Sequence, residues 1–170
     1  LGQRMVKMQL ELGGKDPTYV FADANPVLAA QSLADGAMYN TGQSCCSVER
    51  IYVHESIYDS FVETFVQTVK DFKIGDTLSK DSYIGPLTRA PQMAVLEAQI
   101  TDAVSKGATV LTGGKRMAGP GNWFEPTVLV NVNHSMLVMT EESFGPIIGI
   151  QKVASDEQAL TLMNDTAYGL

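Results

Sequence analysis

Two adjacent thiols are the residues of this 170-residue chain best suited to nucleophilic chemistry. Residues 42–46 have the sequence GQSCC and contain the only two cysteines, Cys45 and Cys46. A cysteine becomes a nucleophile where its thiolate is favoured, and a preceding glycine lets the backbone approach a ligand because it has no Cβ. Taken locally, the pair could instead be two small buried hydrophobic residues, as free cysteines usually are. Both interpretations stay open at this level.

An upstream carboxylate is a candidate base for such a thiol. Glu11 follows residues 6–10, whose alternating pattern predicts a short strand, and it precedes Gly13 and Gly14. At the end of a strand, a carboxylate can project into the crevice where α/β folds bind ligands. A general base needs only reach and a suitable pKa. The commoner fate of such a glutamate is a solvated turn, so Glu11 alone is a weak signal.

A third segment has side chains that could bind a flat, hydroxylated ligand. Residues 141–147 have the sequence EESFGPI, with paired acids before an aromatic residue and a Gly-Pro turn. The acids could bind ribose hydroxyls, and Phe144 could flank a flat ring. Considered alone, the segment is better explained as a helix cap or a surface turn before a buried strand.

Composition and charge exclude several functional classes. The 45% hydrophobic content is ordinary for one soluble globular domain. The net charge of −7, without a basic stripe, makes a nucleic-acid partner unexpected. No apolar run approaches the roughly 20 residues that span a bilayer, and no metal site is expected from two histidines without CxxC spacing. Adjacent cysteines are a poor disulfide framework, so we expect reduced thiols and a cytoplasmic location.

Alternating strand and helix patterns must position these segments. Strands are predicted at residues 6–10, 18–21, 50–54, 109–112, 123–130 and 146–153. Helices are predicted at residues 27–39, 56–72, 91–106 and 156–164. We expect Gly42 to follow the end of the first helix, and Val95, Ile100 and Val104 to form the inward face of the third. The alternation predicts an α/β layered domain with a largely parallel sheet flanked by helices.

Together the three segments resemble the aldehyde dehydrogenase superfamily. Residues 11–15 (ELGGK) are similar to the family's Glu signature, and residues 40–45 (NTGQSC) to its active-site Cys signature. Residues 141–146 resemble its E-E-x-F-G-P block. Further similar blocks are residues 84–87 (IGPL), 124–128 (FEPTV) and 164–170 (NDTAYGL). Six blocks in family order over almost the whole chain form a specific resemblance, which favours chemical roles over the local alternatives.

The resemblance implies a role for each catalytic candidate. Cys45, not Cys46, would be the nucleophile that attacks an aldehyde, and hydride transfer to NAD(P)+ would leave a thioester on its sulfur. Glu11 would then activate the water that hydrolyses this thioester to a carboxylic acid. The Cys45 backbone N–H and an Asn side chain would stabilise the oxyanion.

The resemblance also implies cofactor contacts. Glu142 would bind the nicotinamide-side ribose, Phe144 would pack near the nicotinamide end, and the Leu12 backbone would lie near the nicotinamide amide. Four further residues of the matching blocks are expected to support the structure rather than the chemistry: Lys15, Asn40, Arg50 and Asn164.

The resemblance further implies that this chain is one part of a larger enzyme. In the family, the oxyanion Asn, the adenine-ribose residues and the Gly-rich phosphate loop precede the matching blocks, and a subunit-bridging strand follows them. We therefore expect residues 1–170 to be a single domain, most of the thiol-bearing catalytic domain, without the nucleotide-binding domain and the C-terminal oligomerisation segment. The full enzyme is expected to be a homo-oligomer that uses NAD or NADP on a small-molecule aldehyde, and the chain alone to be inactive.

Two alternatives remain at this level. Cys45 and Glu11 could hydrolyse activated esters without any cofactor, or the domain could be non-catalytic and serve only packing or assembly. Loss of ester hydrolysis on Cys45→Ala would support the first alternative. Labelling of Cys45 no faster than that of a free model thiol would support the second.

Overall fold

The computed structural model describes Gln3 and residues 5–169, and its centre is a twisted layer of five strands. They are β1 (Pro17–Val20), β2 (Arg50–His54), β3 (Thr109–Thr112), β4 (Thr127–Val130) and β5 (Ile147–Val153). The order across the sheet is β1-β2-β5-β4-β3. The β1–β2, β2–β5 and β4–β5 pairs are parallel, and β3–β4 is antiparallel. This confirms the predicted α/β fold with a largely parallel sheet.

Helices connect and cover the strands. They are α1 (Pro26–Met38), α2 (Tyr58–Asp71), α3 (Ala90–Ser105), α4 (Leu137–Thr140) and α5 (Asp156–Asn164). The side chain of Asn25 accepts hydrogen bonds from the first turn of α1, and Ser155 does the same for α5. Both caps satisfy N–H groups that the helix itself leaves unpaired. Within the described residues, no helix is both long and apolar enough to cross a membrane.

Two apolar clusters cover the two faces of the sheet. Successive strand residues point to opposite faces, so Ile51 and Val53 pack with α1 and α2, whereas Tyr52 packs with α3 and α4. In β5, Ile147 belongs to the second cluster and Ile148 to the first. With both faces covered, the strands are held rigidly and can fix the loops that enter them.

Two predictions of local structure are wrong. Residues 6–10 form no strand, because a strand needs a pairing partner and none lies beside this exposed segment in the described part of the chain. In α3, Val95 and Val104 are exposed, whereas Ile100 is buried as predicted. The inward face of α3 has the spacing of Met93, Leu96, Ile100 and Ala103, all buried. That spacing of three and four residues is the helical repeat, and Val95, five residues before Ile100, does not share it. Val104 lies four residues after Ile100, in the last turn of α3, and is exposed there.

The three segments with chemical residues all precede strands. Residues 11–15 come before β1, residues 42–46 before β2, and residues 141–146 before β5. Because β1, β2 and β5 are adjacent and parallel, these segments meet at the amino edge of the sheet. The expectation that Glu11 lies at the end of a strand is therefore wrong, and the site does not follow the usual rule that places ligands at carboxyl edges.

Candidate active site

An open cleft of about 810 Å³ lies at the amino edge of the sheet. Four of the five predicted site residues line it, namely Cys45, Glu11, Glu142 and Phe144. The side chain of the fifth, Leu12, is 76% exposed and is not among the lining residues. The contact predicted for Leu12 is between its backbone and the nicotinamide amide, and this contact stays a prediction. Lining residues that the sequence did not suggest are Gln43, Thr88, Arg89, Gln92 and Val95.

The loop that bears the thiols leaves α1 through an unusual turn. The helix ends at Met38 and continues as a 3-10 turn, Tyr39–Gly42, in which Asn40 and Thr41 have φ angles of 50° and 60°. Left-handed backbone is uncommon outside glycine, above all for a β-branched residue. Thr41 is held there because its hydroxyl donates to the Gly85 carbonyl and accepts from the Gly85 N–H. The α-helix ends at Met38, one residue before the predicted end at residue 39.

Gly42 allows this loop to lie directly against the turn before β5. Its φ is +68°, and a Cβ at this position would lie 2.2 Å from the Gly145 carbonyl oxygen. Only glycine permits both the conformation and the approach. On the other side of the loop, the Gln43 Oε1 accepts a hydrogen bond from the Thr88 N–H at 2.8 Å. The thiol loop is thus held between two neighbouring segments of the cleft.

Both thiols are free and exposed, which excludes the local interpretation as two buried hydrophobic residues. Their sulfurs lie 3.7 Å apart. The hydrogen bond to Cys46, followed by its charge, raises the pKa of the Cys45 thiol, and the Glu11 carboxylate adds slightly to that shift. The structure gives Cys45 access to the cleft but does not favour its thiolate. A base or a positive charge would have to supply that activation.

The Glu142 carboxylate lies against the two glycines that follow Glu11. A Cβ on Gly13 would lie 3.1 Å from Glu142 Oε2, and the Gly14 backbone lies near enough to the same carboxylate to lower its pKa. Burial is the main cause that raises the pKa of Glu142, with the Glu49 charge adding to it, whereas the Gly14 backbone lowers it. The glycines therefore let a backbone segment cradle this carboxylate at the cleft wall.

A buried ion pair behind the cleft was missed at the sequence level. Lys15 is fully buried, and its Nζ donates to Glu49 Oε2 at 2.6 Å. Burial lowers the pKa of the Lys15 ammonium, and the Glu49 carboxylate opposes that shift. Charged residues are almost never buried unpaired. The position of Lys15 between two glycines and a predicted strand could have indicated a buried lysine, but the sequence did not reveal that Glu49 is its partner.

Arg50 has a structural role, as predicted. Its fully buried guanidinium donates to the Lys15 carbonyl at 2.7 Å, and to the Leu162 and Met163 carbonyls at 3.1 and 2.9 Å. The last two belong to the C-terminal turn of α5, where carbonyls lack partners within the helix and favour positive charge. Arg50 therefore ties the start of β1 to the end of α5.

The described residues offer no metal centre. Within Gln3 and residues 5–169, no three His, Cys, Asp or Glu side chains are grouped so that they could hold a metal ion. The chemically distinctive residues that line the cleft are one thiol, two carboxylates, an aromatic ring and Arg89.

Comparison with known proteins identifies the family. The model of the aldehyde dehydrogenase family matches residues 1–170. This chain belongs to the aldehyde dehydrogenase family. Its relatives include the 3,6-anhydro-alpha-L-galactose dehydrogenase of Vibrio sp. (strain EJY3), 41% identical over 98% of this chain and 35% of the relative. The NAD(P)+ succinate semialdehyde dehydrogenase Sad of Escherichia coli (strain K12) is 39% identical over 99% of this chain and 37% of the relative.

Solved structures agree with this assignment. A 3,6-anhydro-L-galactose dehydrogenase in complex with NAP superposes with a TM-score of 0.93 and 43% identity, covering 99% of this chain and 36% of that one. The succinate-semialdehyde dehydrogenase from Burkholderia pseudomallei gives a TM-score of 0.93 at 38% identity, with 99% and 35% covered. The aldehyde dehydrogenase fold is thereby confirmed, and the chain spans about a third of the length of these relatives.

Proposed function

We propose that this chain forms the thiol-bearing part of an NAD(P)-dependent aldehyde dehydrogenase. The supporting observation is that Cys45, Glu11 and Glu142 line one cleft in a member of that family. One relative is named for NAD(P)+ and a similar structure is a complex with NAP, so the proposed cofactor is NAD or NADP. The proposed reaction oxidises a small-molecule aldehyde to a carboxylic acid.

Cys45 is the proposed nucleophile. Its thiolate attacks the aldehyde carbonyl carbon, a C–S bond forms, and the carbonyl electron pair moves to the oxygen. The Cys45 N–H can donate to that oxyanion, a contact that strengthens as the negative charge develops. When bound, NAD(P)+ supplies the hydride acceptor. Loss of hydride from the former carbonyl carbon leaves a thioester on Cys45.

Glu11 is the proposed base for the second half of the reaction. Its carboxylate takes a proton from water, and the oxygen attacks the thioester carbonyl. The C–S bond then breaks, which releases the carboxylic acid and restores the Cys45 thiolate. Its place in the same cleft as the sulfur supports this assignment.

The cleft wall fits the nicotinamide end of such a cofactor. The Glu142 carboxylate is partly buried, lies against the Gly13 and Gly14 backbone, and faces the cleft, where it can accept hydrogen bonds from ribose hydroxyls. The Phe144 ring is 37% exposed in the same cleft and can flank a flat ring. Leu12 is proposed to contribute only its backbone.

A second candidate function is hydrolysis of activated esters without a cofactor. The exposure of Cys45 and the presence of Glu11 in the same cleft favour it, since neither group needs the cofactor to reach an ester.

Free exposed thiols also fit the reducing cytoplasm that we propose as the location. A homo-oligomeric full enzyme remains part of the proposal and rests on the family resemblance.

The test uses the full-length protein that contains this sequence. Cys45→Ser is expected to abolish aldehyde-dependent formation of reduced nicotinamide, whereas Cys46→Ser, the matched control, keeps it. Glu11→Gln is expected to retain a first burst of reduced nicotinamide but to slow steady-state turnover by about 100-fold, a typical contribution of a general base. Stopped-flow absorbance measures both phases. Full turnover in Glu11→Gln would remove Glu11 from the mechanism, and activity in Cys45→Ser would overturn the proposal.

A further inference from the structure

The Glu49 carboxylate connects the thiol loop to the segment proposed to bind the cofactor. Glu49 precedes the first residue of β2, and the thiol loop leads directly into it. Its carboxylate is buried and accepts from the Ser143 N–H at 2.9 Å and from the Phe144 N–H at 3.0 Å. These are charge-assisted hydrogen bonds, which are shorter and stronger than neutral ones. One side chain therefore fixes two consecutive amides of the opposite cleft wall.

Ser143 and the preceding backbone are held by further buried groups. Lys15 Nζ donates to the Ser143 hydroxyl at 2.9 Å, and that hydroxyl donates to Gln99 Oε1 at 2.8 Å. Gln99 in turn donates its amide N–H to the Glu142 carbonyl at 3.1 Å. The segment on either side of Glu142 thus has its donors and acceptors satisfied by fixed side chains, which makes its position well defined.

The charges of this network compensate one another. Glu49 and Lys15 form a salt bridge whose two side chains are 6% and 0% exposed. Such a pair contributes little net stability compared with apolar packing, but removing one member leaves a buried charge without a partner. Its Glu49 member also binds two backbone amides, so the pair joins three segments of the chain.

We propose that Glu49 is a positioning residue for the proposed hydride transfer. By binding the Ser143 and Phe144 amides, it fixes the positions of the Glu142 and Phe144 side chains relative to the Cys45 sulfur. This inference rests on the proposed function. Because Glu49 does not line the cleft, it acts on the reaction by placing the cofactor segment, and the intrinsic reactivity of the thiol does not depend on it.

The test is Glu49→Gln in the full-length protein. The amide keeps the shape of the side chain but loses the charge and one acceptor. The Kd of the reduced nicotinamide cofactor, measured by fluorescence titration, is expected to rise about tenfold, as for loss of a hydrogen bond to a charged group. KM for NAD(P)+ is expected to rise with it. Hydrolysis of p-nitrophenyl acetate and alkylation of Cys45 by iodoacetamide, both without cofactor, are expected to stay within about twofold.

Matched variants separate a positional from a merely structural role. Glu97→Gln makes the same chemical change in an exposed pair with Arg116 and is expected to leave all readouts unchanged. Adding Lys15→Met to Glu49→Gln removes the unpaired buried ammonium, so Tm should recover while the cofactor Kd stays high. Recovery of both together would overturn the positioning role.

The remaining outcomes also decide the proposal. An unchanged cofactor Kd in folded Glu49→Gln, or a parallel loss of cofactor binding and ester hydrolysis, would contradict it. If Glu49→Gln alone does not fold, the double variant Lys15→Met/Glu49→Gln, which has no unpaired buried ammonium, tests the same two amides, and an unchanged Kd there would also contradict it. A wild-type protein that binds no nicotinamide cofactor would instead refute the proposed function itself.

Discussion

At the scale of single residues, the contact between the Cys45 and Cys46 sulfurs, 3.7 Å apart, leads to a prediction about thiol reactivity. The hydrogen bond and charge of Cys46 raise the pKa of the Cys45 thiol, so less thiolate is present at a given pH. In Cys46→Ala, the pKa of Cys45 should fall toward the ordinary thiol value, and the alkylation profile should move to lower pH. The rate of iodoacetamide alkylation near neutral pH is expected to rise, since the thiolate is the reacting species. Mass spectrometry of the labelled peptide against pH measures this.

Cys46→Ser is the control for that experiment. Its hydroxyl can still share a hydrogen bond with the neighbouring sulfur, so the profile should move less than in Cys46→Ala. An alanine variant whose profile stays in place, or moves to higher pH, would show that Cys46 does not set the pKa of Cys45.

Single residues differ in how well the sequence reveals them. Cys45, Glu11, Glu142 and Phe144 could be selected because each belongs to a short motif with a chemical group at a fixed place. Glu49 could not, since its role arises from amides of a segment that lies 94 residues further along the chain. Pairing across that separation is a property of strand order, which single-sequence spacing does not contain.

At the scale of elements, the contact between the thiol loop and the turn before β5 depends on Gly42. In Gly42→Ala, the new Cβ would meet the Gly145 carbonyl oxygen and the backbone would keep an unfavourable φ of +68°. We expect the free energy of unfolding to fall by about 3 kcal/mol, the sum of left-handed strain and overpacking. Urea denaturation of the two proteins measures the difference.

Gly107→Ala provides the matched comparison. Gly107 also has a positive φ, of +101°, but a Cβ there would meet nothing within 4 Å. Its substitution should cost only the backbone strain, about 1 kcal/mol. Equal losses in the two variants would mean that the close approach at Gly42 does not contribute to stability.

Most helices and strands could be predicted because their signals are local. The strand at residues 50–54 and the helix at residues 156–164 were predicted with the bounds that the structure has. The errors arise where a distant partner decides. Residues 6–10 alternate like a strand but lie exposed, and the described part of the chain places no strand beside them. The short helix α4 had no signal of its own.

At the scale of the whole molecule, the length of the chain relative to its relatives leads to a prediction. It spans 35% and 37% of two relatives named as dehydrogenases. We therefore expect the purified 170-residue chain to form no reduced nicotinamide from aldehydes, although Cys45 still reacts with iodoacetamide. The same assay on the full-length protein is the positive control. Aldehyde-dependent turnover by the 170-residue chain would contradict this expectation.

The position of β5 has a consequence for how the protein is made. Of the five strands, β5 is the last to be synthesised, yet it lies in the middle of the sheet, between β2 and β4. Until it is inserted, β2 and β4 present unpaired edges that can pair with other chains. The amides that bind the Glu49 carboxylate are synthesised just before β5. The thiols are therefore synthesised before the last segment of the cleft. Insertion of β5 pairs the free edges of β2 and β4 and at the same time brings that segment into place.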